Sequence, residues 1–569
     1  MTHAIGSENG TGSGWLRCDS CDDISFWRKW NRKQGVCPSC GHHAALDPRA
    51  RIATLLDRGS FAPVAFGDGL LDPLGFVDRV PYPERLAAAR ERTGEQEAVV
   101  VGTGRIGGVA TALAVLDFRF LGGSLGVGVG ERLTGLLEHA LVERLPLVLV
   151  TASGGARMQE GVLSLMQMAK VSQAMAAMRA AGLGTVSVIT DPTYGGVAAS
   201  FATQSDVLLA EPGARLGFAG PRVIRQTIGA TLPPGLQTAE YLHATGMLDQ
   251  VVPRSRLRDV LAELLDLVAV DRRVTAPARP PRVLADRPVR ADTPRDGWST
   301  VRIARDRDRP TAREYLARMC ESFVELHGDR VGGDSATVVG GLARLGGRSV
   351  VVVGTQKGHT SAELTATSFG MAGPDGYRKA LRLFALAERL GLPVVTLVDT
   401  PGAHPGPVAE RGGQALVIAE SILALTTLRV PVVAAVVGEG GSGGALALAV
   451  ADQVLMSEHA VYSVISPEGC AAILWGPGQA EQAANALRLT APDLVALGVV
   501  DRVVPEPDGG TQADHAEAAA LLAAALERAL SGLAELPRAE LVARRRDRLR
   551  RLGAAPGAVE RTETVGVAS

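Results

Sequence analysis

The sequence lacks any apolar run of about 18 residues, which is the length that a membrane-spanning helix needs. Residues 1–14 are polar and rich in glycine, without the basic start and apolar centre of a secretory signal peptide. The formal net charge is −1, so the composition supplies no electrostatic attraction to nucleic acid or to an anionic membrane. Together these absences predict a globular cytoplasmic protein that acts neither in a membrane nor on nucleic acid.

Cysteine is also scarce, but four of the six cysteines lie close together near the start of the chain. Cys18 and Cys21 form one C-x-x-C pair, and a second pair, Cys37 and Cys40, follows it. Two such pairs at this spacing predict a tetrahedral zinc site over residues 15–45, one per chain. Four thiolate ligands leave no open coordination position, so the zinc is predicted to be structural. A redox dithiol would need a βαβ context that these residues lack.

Basic side chains surround the predicted zinc ribbon, and they raise an alternative from a different functional class. They are Arg17, Arg28, Lys29, Arg32 and Lys33. A basic ribbon could bind nucleic acid while the rest of the chain serves as a scaffold. Most such charges form only a solvated face, and the net charge of −1 argues against the alternative.

One sequence pattern occurs twice in the chain. The segment TVSVITDPTYGGVAASFA reads as a buried strand, a turn at Gly195-Gly196 and a helix of small residues. PVVAAVVGEGGSGGALALAV repeats this order at Gly443-Gly444, 248 residues later. Pro146 and Pro393 begin a further pair of similar strands at an offset of 247 residues. These matching offsets predict a duplicated α/β domain.

Each glycine turn points to the same kind of chemistry. A strand that breaks into glycine before a helix exposes backbone N–H groups at the helix N-terminus, where they can bind a negatively charged oxygen. Glycine lets a ligand approach the main chain without meeting a Cβ. The sequence contains no Walker A motif. Two such turns therefore predict a reaction in which backbone dipoles stabilise two oxyanions.

Composition and pattern divide the chain into six predicted segments. They are a disordered N-terminus (1–14), a zinc ribbon (15–45), a first α/β domain (46–271), a Pro/Arg-rich linker (272–310), a second α/β domain (311–551) and a flexible tail (552–569). The linker is assigned from its dense proline and arginine and from its lack of a sustained hydrophobic period.

Several longer motifs resemble one enzyme family. In the first half, GGSLG, SGGARMQEG, DPTYGGVAASFA and GFAGPRVI resemble the β subunit of bacterial acetyl-CoA carboxylase carboxyltransferase. In the second half, ESFVELHGDR, FGMAGPDGYRKALRL, DTPGAHPG, GEGGSGGALA and VYSVISPEGCAAILW resemble its α subunit. The matches run from about Cys18 to Val504, so the chain resembles a natural β–α fusion. The resemblance implies an α/β fold with two crotonase-like ββα superhelix domains.

The resemblance also implies an activity and partners. Family members transfer carboxylate from biotin, which a separate carrier protein holds, to acetyl-CoA, giving malonyl-CoA for fatty-acid or polyketide synthesis. The implied partners are the biotin carboxyl carrier protein and biotin carboxylase, and the implied assembly is a homodimer equivalent to α2β2. The same oxyanion chemistry would serve a carboxyltransferase for propionyl-CoA or another acyl-CoA, which stays an open alternative.

The resemblance implies two oxyanion sites built from backbone N–H groups. The implied donors are Gly195, Gly196, Gly155 and Ala156 for the thioester enolate, and Gly443, Gly444, Gly402 and Ala403 for the ureido oxygen of biotin. The ureido nitrogen would act as the base, which explains why no side-chain base is evident. After Gln356-Lys357-Gly358 the family carries several basic residues, whereas this chain reads HTSAELTATSFG, so no side chain is assigned to coenzyme A. The sequence leaves open whether the two sites meet within one chain or across a dimer.

Overall fold

The computed structural model divides the chain into two compact units. One unit comprises Met1–Arg273 with Leu326–Gly333, and the other comprises Val274–Glu325 with Asp334–Ser569. The residues that the structure describes are 14–67, 69, 71–275, 296–476 and 478–553. The predicted disordered N-terminus, apart from Gly14, and nearly all of the predicted tail lie outside these residues. Among the described helices, none combines the length and the apolar composition needed to cross a membrane.

The first unit begins with the small ribbon that the cysteine spacing predicts. Strands β1 (Trp15–Arg17) and β2 (Ile24–Phe26) pair antiparallel and lead into helix α1 (Trp27–Arg32). Trp30 is buried beside Cys18 and Cys37, and its indole Nε1–H donates to Ser25 Oγ at 2.9 Å. This single aromatic residue supplies most of the ribbon's core, so a metal ion held by the four cysteines would contribute much of its stability.

The rest of the first unit is an eight-stranded mixed sheet with helices around it. Its strands are β3 (Ala62–Pro63), β4 (Val99–Ile106), β5 (Val109–Leu116), β6 (Leu147–Ser153), β7 (Thr185–Tyr194), β8 (Val207–Ala210), β9 (Leu216–Gly217) and β10 (Gln250–Val251). Its helices are α2 (Pro48–Leu55), α3 (Tyr82–Thr93), α4 (Val127–Val142), α5 (Val162–Ala180), α6 (Gly195–Ala198), α7 (Pro221–Ile228), α8 (Ala239–Ala244) and α9 (Arg254–Val268). The strand order is β10-β8-β7-β6-β5-β4-β3, with β9 pairing β7.

The second unit has the same arrangement. Its strands are β11 (Ser322–Glu325), β12 (Val338–Leu345), β13 (Arg348–Thr355), β14 (Val394–Thr400), β15 (Val432–Gly441), β16 (Gln453–Ser457), β17 (Val461–Ser463) and β18 (Arg502–Val504). Its helices are α10 (Gly297–Ala304), α11 (Ala312–Met319), α12 (Ser361–Ala366), α13 (Pro374–Leu390), α14 (Pro407–Arg411), α15 (Gln414–Thr427), α16 (Ser442–Ala449), α17 (Pro467–Leu474), α18 (Ala480–Ala486), α19 (Ala491–Ala496), α20 (His515–Ala534) and α21 (Arg538–Arg551). The strand order is β11-β12-β13-β14-β15-β16-β18, with β17 pairing β15.

Strand pairing shows how closely the two units correspond. In each unit an antiparallel hairpin, β4–β5 or β12–β13, leads into a run of parallel strands. Leu147 pairs with Thr185 in the first unit, and Val394 pairs with Val432 in the second, both at an offset of 247 residues. The central strands β6 and β14 are almost wholly buried, as expected for parallel strands covered on both faces. The duplication that the sequence indicates therefore extends to the strand register.

The segment predicted as a linker contributes structure to the second unit. Residues 276–295 lie outside the described part, but α10 follows them, with Val301 fully buried against α18, β15 and β17. Asp296 accepts the N–H of Ser299 and so caps the helix. Arg309 is 5% exposed and pairs with Glu506. The linker prediction therefore does not hold for residues 296–310. The dense arginine obscured the apolar spacing of a short helix.

Candidate active site and zinc site

In the first unit, the turn after β6 leaves one backbone donor free. The N–H of Gly155 donates to Ser153 Oγ at 3.0 Å, and the N–H of Arg157 donates to the carbonyl of Leu125 at 2.8 Å. Between them, the N–H of Ala156 has no acceptor among the described residues. Gly155 has φ +123°, a left-handed conformation that only glycine adopts without strain. In this turn, the N–H of Ala156 therefore takes no part in the hydrogen bonds among the described residues.

A second donor comes from the start of α6. Gly195 has φ +60° and donates its N–H to the carbonyl of Phe218 at 3.1 Å, so this predicted donor is already used. Gly196 is the second residue of the helix, where N–H groups have no intrahelical acceptor. The two turns touch, because a Cβ at Gly195 would lie 2.9 Å from Gly155 Cα. The available donors of this unit are thus the N–H groups of Ala156 and Gly196.

The second unit builds the same turn after β14. The N–H of Gly402, which has φ +150°, donates to Thr400 Oγ1 at 3.1 Å. The N–H of His404 donates to the carbonyl of Ala372 at 3.0 Å. The intervening N–H of Ala403 has no acceptor in the part of the chain that the structure describes. It corresponds to Ala156 at the constant offset of 247 residues.

The start of α16 differs from the sequence prediction by one residue. Ser442, with φ +54°, begins the helix and occupies the position of Gly195. Gly443 is the counterpart of Gly196, and a Cβ there would have only Ile418 Cγ2 nearby, at 3.8 Å. Gly444 has a different role, because a Cβ there would lie 2.3 Å from the backbone nitrogen of Ala403. Ala403 and Gly443 are therefore the counterparts of the donors Ala156 and Gly196, while Gly444 permits the close approach of the two segments.

A buried ion-pair network supports the turn of the first unit, and no local sequence pattern indicates it. Arg157 is 1% exposed, and its guanidinium binds both carboxylate oxygens of Glu97 at 2.5 and 2.9 Å. It also contacts Glu160 at 3.3 Å and the hydroxyl of Tyr82 at 3.1 Å. Burial opposes the charge on Arg157, but Glu97 outweighs it, so the pKa of the guanidinium is raised. Because Arg157 follows Ala156 directly, this network holds the backbone of the turn.

A second charged cluster lies at the base of the turn in the second unit. Lys357, Asp399 and Glu439 border a cavity of about 310 Å³ that also reaches Pro401, the residue before Gly402. The ammonium of Lys357 lies 2.7 Å from Asp399 Oδ1 and 3.0 Å from Glu439 Oε2. These three residues are far apart along the chain, and no local sequence pattern assigns them a shared role.

The four cysteines meet in the geometry that a zinc ion requires. Their sulfur atoms all lie within 4.8 Å of one another, with Cys18 and Cys40 at 3.7 Å and Cys21 and Cys37 at 3.9 Å. Four sulfurs at about 2.3 Å around a tetrahedral zinc ion are separated by about 3.8 Å, so the set fits the ion. The cluster leaves no position for a substrate, which agrees with a structural role.

The ribbon is anchored to its own unit by a buried carboxylate. Glu211, at the end of β8, accepts from Arg254 and Arg51, and it lies 3.7 Å from a ring nitrogen of His43. Arg254 also donates to two ribbon carbonyls, those of Gln34 and Ala44. Burial alone would raise the pKa of Glu211, but the paired arginines hold it well below its usual range. The permanent charge on Glu211 therefore ties the ribbon to the sheet.

Cys37→Ser is expected to abolish zinc binding, because removing one thiolate opens the tetrahedral shell and leaves three ligands. Purified wild-type protein should contain about one zinc per chain and the variant close to none, measured by elemental analysis after dialysis. Cys320→Ser is the matched control, since Cys320 lies outside the cluster. Full zinc content in the Cys37 variant would show that the metal site is assigned wrongly.

Comparison with solved structures identifies the fold. The structure is similar to crystal structures of transcarboxylase 12S, with a TM-score of 0.68 and 23% identity over 89% of this chain and 92% of that one. It is also similar to a single-chain, multi-domain long-chain acyl-CoA carboxylase, with a TM-score of 0.65 and 20% identity over 85% of this chain and 46% of that one. These likenesses confirm the predicted fold class, two crotonase-like domains.

Several curated proteins are more similar to this chain in sequence than these solved structures are. The family described as acetyl co-enzyme A carboxylase carboxyltransferase-like matches residues 293–553. The acetyl-coenzyme A carboxylase carboxyl transferase subunits beta/alpha of Salinispora tropica is 59% identical, covering 96% of this chain and 97% of that protein. The Clostridium tetani protein of the same description is 40% identical, covering 95% and 93%. The beta subunit of a Synechococcus strain is 50% identical over 273 residues, 48% of this chain and 87% of that protein.

The chain thus belongs to the family of fused beta/alpha acetyl-CoA carboxylase carboxyltransferases. The predicted family, enzyme class and fusion are confirmed.

Proposed function

We propose that the chain transfers carboxylate from carboxybiotin, held on a separate biotin carboxyl carrier protein, to acetyl-CoA, and so forms malonyl-CoA for fatty-acid or polyketide synthesis. The observation that carries the proposal is that each unit presents two neighbouring N–H groups that have no acceptor among the described residues. The reaction develops negative charge on two oxygens, and preorganised donors at such oxygens are commonly the largest catalytic contribution.

The first unit is proposed to bind the thioester. Loss of the α-proton from acetyl-CoA places negative charge on the thioester oxygen, where the N–H groups of Ala156 and Gly196 would stabilise it. The enolate carbon then attacks carbon dioxide and forms the new carbon–carbon bond. Gly155 and Gly195, which were also predicted as donors, shape the turns through their positive φ angles and use their own N–H groups elsewhere.

The second unit is proposed to bind the biotin ureido group. Release of carbon dioxide from carboxybiotin leaves negative charge on the ureido oxygen, where the N–H groups of Ala403 and Gly443 would stabilise it. The freed ureido nitrogen accepts the α-proton, so no side-chain base is required. In this proposal Gly402 and Gly444 shape the backbone, the first through its φ of +150° and the second through its contact with Ala403.

We further propose that the working enzyme is a homodimer equivalent to α2β2. Large apolar side chains on both units are exposed in a single chain, more than isolated surface residues require. They are Met158, Val162, Met166 and Phe218 in the first unit, and Leu416, Val464, Ile473 and Leu474 in the second. A second copy of the chain would cover them. A biotin carboxylase is the proposed source of the carboxylated carrier.

The proposed zinc ion and cellular location support each other. Four free thiolate ligands persist in a reducing compartment, where disulfides are rare. We therefore propose that the chain carries one structural zinc ion and works in the cytoplasm. Nucleic-acid binding by the ribbon is the less favoured alternative, since part of its surface is used against Glu211 and Arg254.

Carboxyl transfer from pre-carboxylated carrier protein to acetyl-, propionyl- and butyryl-CoA tests the proposal directly. Malonyl-CoA is expected as the main product, measured by mass spectrometry at equal substrate concentrations. A preference for propionyl-CoA would keep the mechanism and favour the alternative acyl specificity. Zinc-loaded, folded enzyme that transfers carboxylate to none of the three would contradict the proposed reaction.

A further inference from the structure

The charged cluster at the base of the second-unit turn bonds in a pattern that joins three strands. Besides contacting Lys357, Asp399 accepts the N–H of Glu439 at 2.8 Å and donates its own N–H to Thr355 Oγ1 at 2.6 Å. Asp399 lies on β14, Glu439 on β15 and Thr355 at the end of β13. A Cβ at Gly438 would lie 2.3 Å from Asp399 Oδ1, so the carboxylate packs directly against the backbone of β15.

The position of this cluster relates it to the two free donors. Pairing between β14 and β15 shifts register between Val398 and Thr400, so ordinary strand hydrogen bonds do not fix the chain there. Asp399 precedes Ala403 by four residues, and Glu439 precedes Gly443 by four residues. The two carboxylates thus lie at the bases of the two segments that carry the free N–H groups. The ammonium of Lys357 bridges them.

We propose that Lys357 is a positioning residue of the second-unit site: by holding Asp399 and Glu439 together, it keeps the N–H groups of Ala403 and Gly443 directed at one oxygen. The inference rests on the proposed role of those two donors.

The first unit shows that the fold itself does not need these charges. Strand pairing aligns Lys357 with Phe118, Asp399 with Ala152 and Glu439 with Pro192. The first unit therefore forms the same pair of turns with uncharged residues at all three places. Burying ion pairs in place of apolar side chains is often neutral or unfavourable for the stability of the fold. The cluster is therefore present for the function of the second half-site and not for the stability of the unit.

A second cation completes the cluster from α10's C-terminal end. Arg305 donates from Nε to Glu439 Oε1 at 2.6 Å and from a terminal nitrogen to Glu468 at 2.5 Å. Burial opposes the charge on Lys357, yet Asp399 and Glu439 outweigh it and raise the pKa of the ammonium. Burial likewise disfavours the charge on Glu439, but Lys357 and Arg305 lower its pKa overall. Lys357 and Glu439 therefore both carry their charges across the neutral range.

Lys357→Met tests the inference, because methionine keeps the length of the side chain and removes its charge. We expect kcat for carboxyl transfer to fall about tenfold to a hundredfold, the effect of a misplaced catalytic group. KM for acetyl-CoA should be unchanged, because its proposed site is in the other unit. Lys357→Arg should restore part of the lost kcat. Glu439→Gln should lower kcat in the same way and provides a second route if Lys357→Met folds poorly.

Lys379→Met is the matched control for loss of a buried ammonium. Lys379 pairs with Asp334 at 2.8 Å in the same unit, and neither residue borders the cavity. Lys379→Met should lower the melting temperature at least as much as Lys357→Met does, while leaving kcat intact. If folded Lys357→Met retains full kcat while Gly443→Val is inactive, Lys357 has no positioning role. If Gly443→Val is active as well, the proposed donor site itself is wrong.

Discussion

Gly443→Val is expected to lower carboxyl transfer by about a hundredfold to a thousandfold, the loss measured when one oxyanion donor is removed. The backbone around Gly443 is open on the side where a Cβ would stand, with Ile418 Cγ2 the nearest atom at 3.8 Å. Its φ lies outside the left-handed region, so valine is accommodated in the fold. The added methyl groups would then fill the space through which an oxygen reaches the N–H.

The chain provides closely matched controls for this variant. Gly532 also lies in a helix, and no atom lies within 4 Å of its would-be Cβ. Gly532→Val should therefore fold and retain full activity. Gly443→Ala should have an intermediate effect, since one methyl group narrows the approach only partly. Steady-state rates with carboxylated carrier and acetyl-CoA, together with melting temperatures, separate activity from stability. Unchanged kcat in folded Gly443→Val would remove this N–H from the mechanism.

Gly444 is unsuitable for the same test, although the sequence pattern paired it with Gly443. A side chain there would collide with the backbone nitrogen of Ala403 and, at 2.8 Å, with the hydroxyl of Tyr377. Substitution would disturb the turn and the helix start together, so lost activity would not distinguish catalysis from folding. The sequence could not show this, because a Gly-Gly pair reads alike whether it admits a ligand or a neighbouring segment.

Sequence reasoning predicted what depends on local pattern and missed what depends on distant contacts. The spacing of the C-x-x-C pairs is a local feature, and the predicted cysteine cluster is present. The strand–turn–helix pattern indicated both glycine turns, and the structure contains them. The two Gly-Gly pairs are 248 residues apart, whereas the strands repeat at 247, so the pattern did not show that Ser442 is the counterpart of Gly195. Serine at positive φ carries no sequence signature of that conformation.

The ion-pair networks had no local signal at all. Arg157 and Glu97 are 60 residues apart in the chain, and Lys357 and Glu439 are 82 apart, yet each pair is in direct contact in the fold. Charged residues in a single sequence are most often solvated, so only the sheet register reveals which of them are buried together. The sheet register also shows that different ion pairs support the two half-sites. Arg157 pairs with Glu97 in the first unit, and Lys357 pairs with Asp399 and Glu439 in the second.

The relation between the half-sites can be tested with heterodimers of Gly196→Val and Gly443→Val chains. Gly196→Val inactivates the proposed thioester site, and the flexible side chain of Met168, 3.1 Å from the would-be Cβ, can move to admit it. If each active site combines the first unit of one copy with the second unit of the other, both substitutions fall in the same one of the two sites. A heterodimer would then keep one intact site of two, and about half of wild-type activity.

A heterodimer of wild-type chain with a chain carrying both substitutions is the reciprocal control. If sites form across the dimer, each of its two sites contains one altered half, and activity should be close to zero. If sites form within a chain, the wild-type copy stays intact and about half of the activity remains, while the first heterodimer is inactive. Co-expression with two different affinity tags and sequential purification isolates both species. Because the two arrangements give opposite results in the two heterodimers, differences in stability between the variants cannot imitate either outcome.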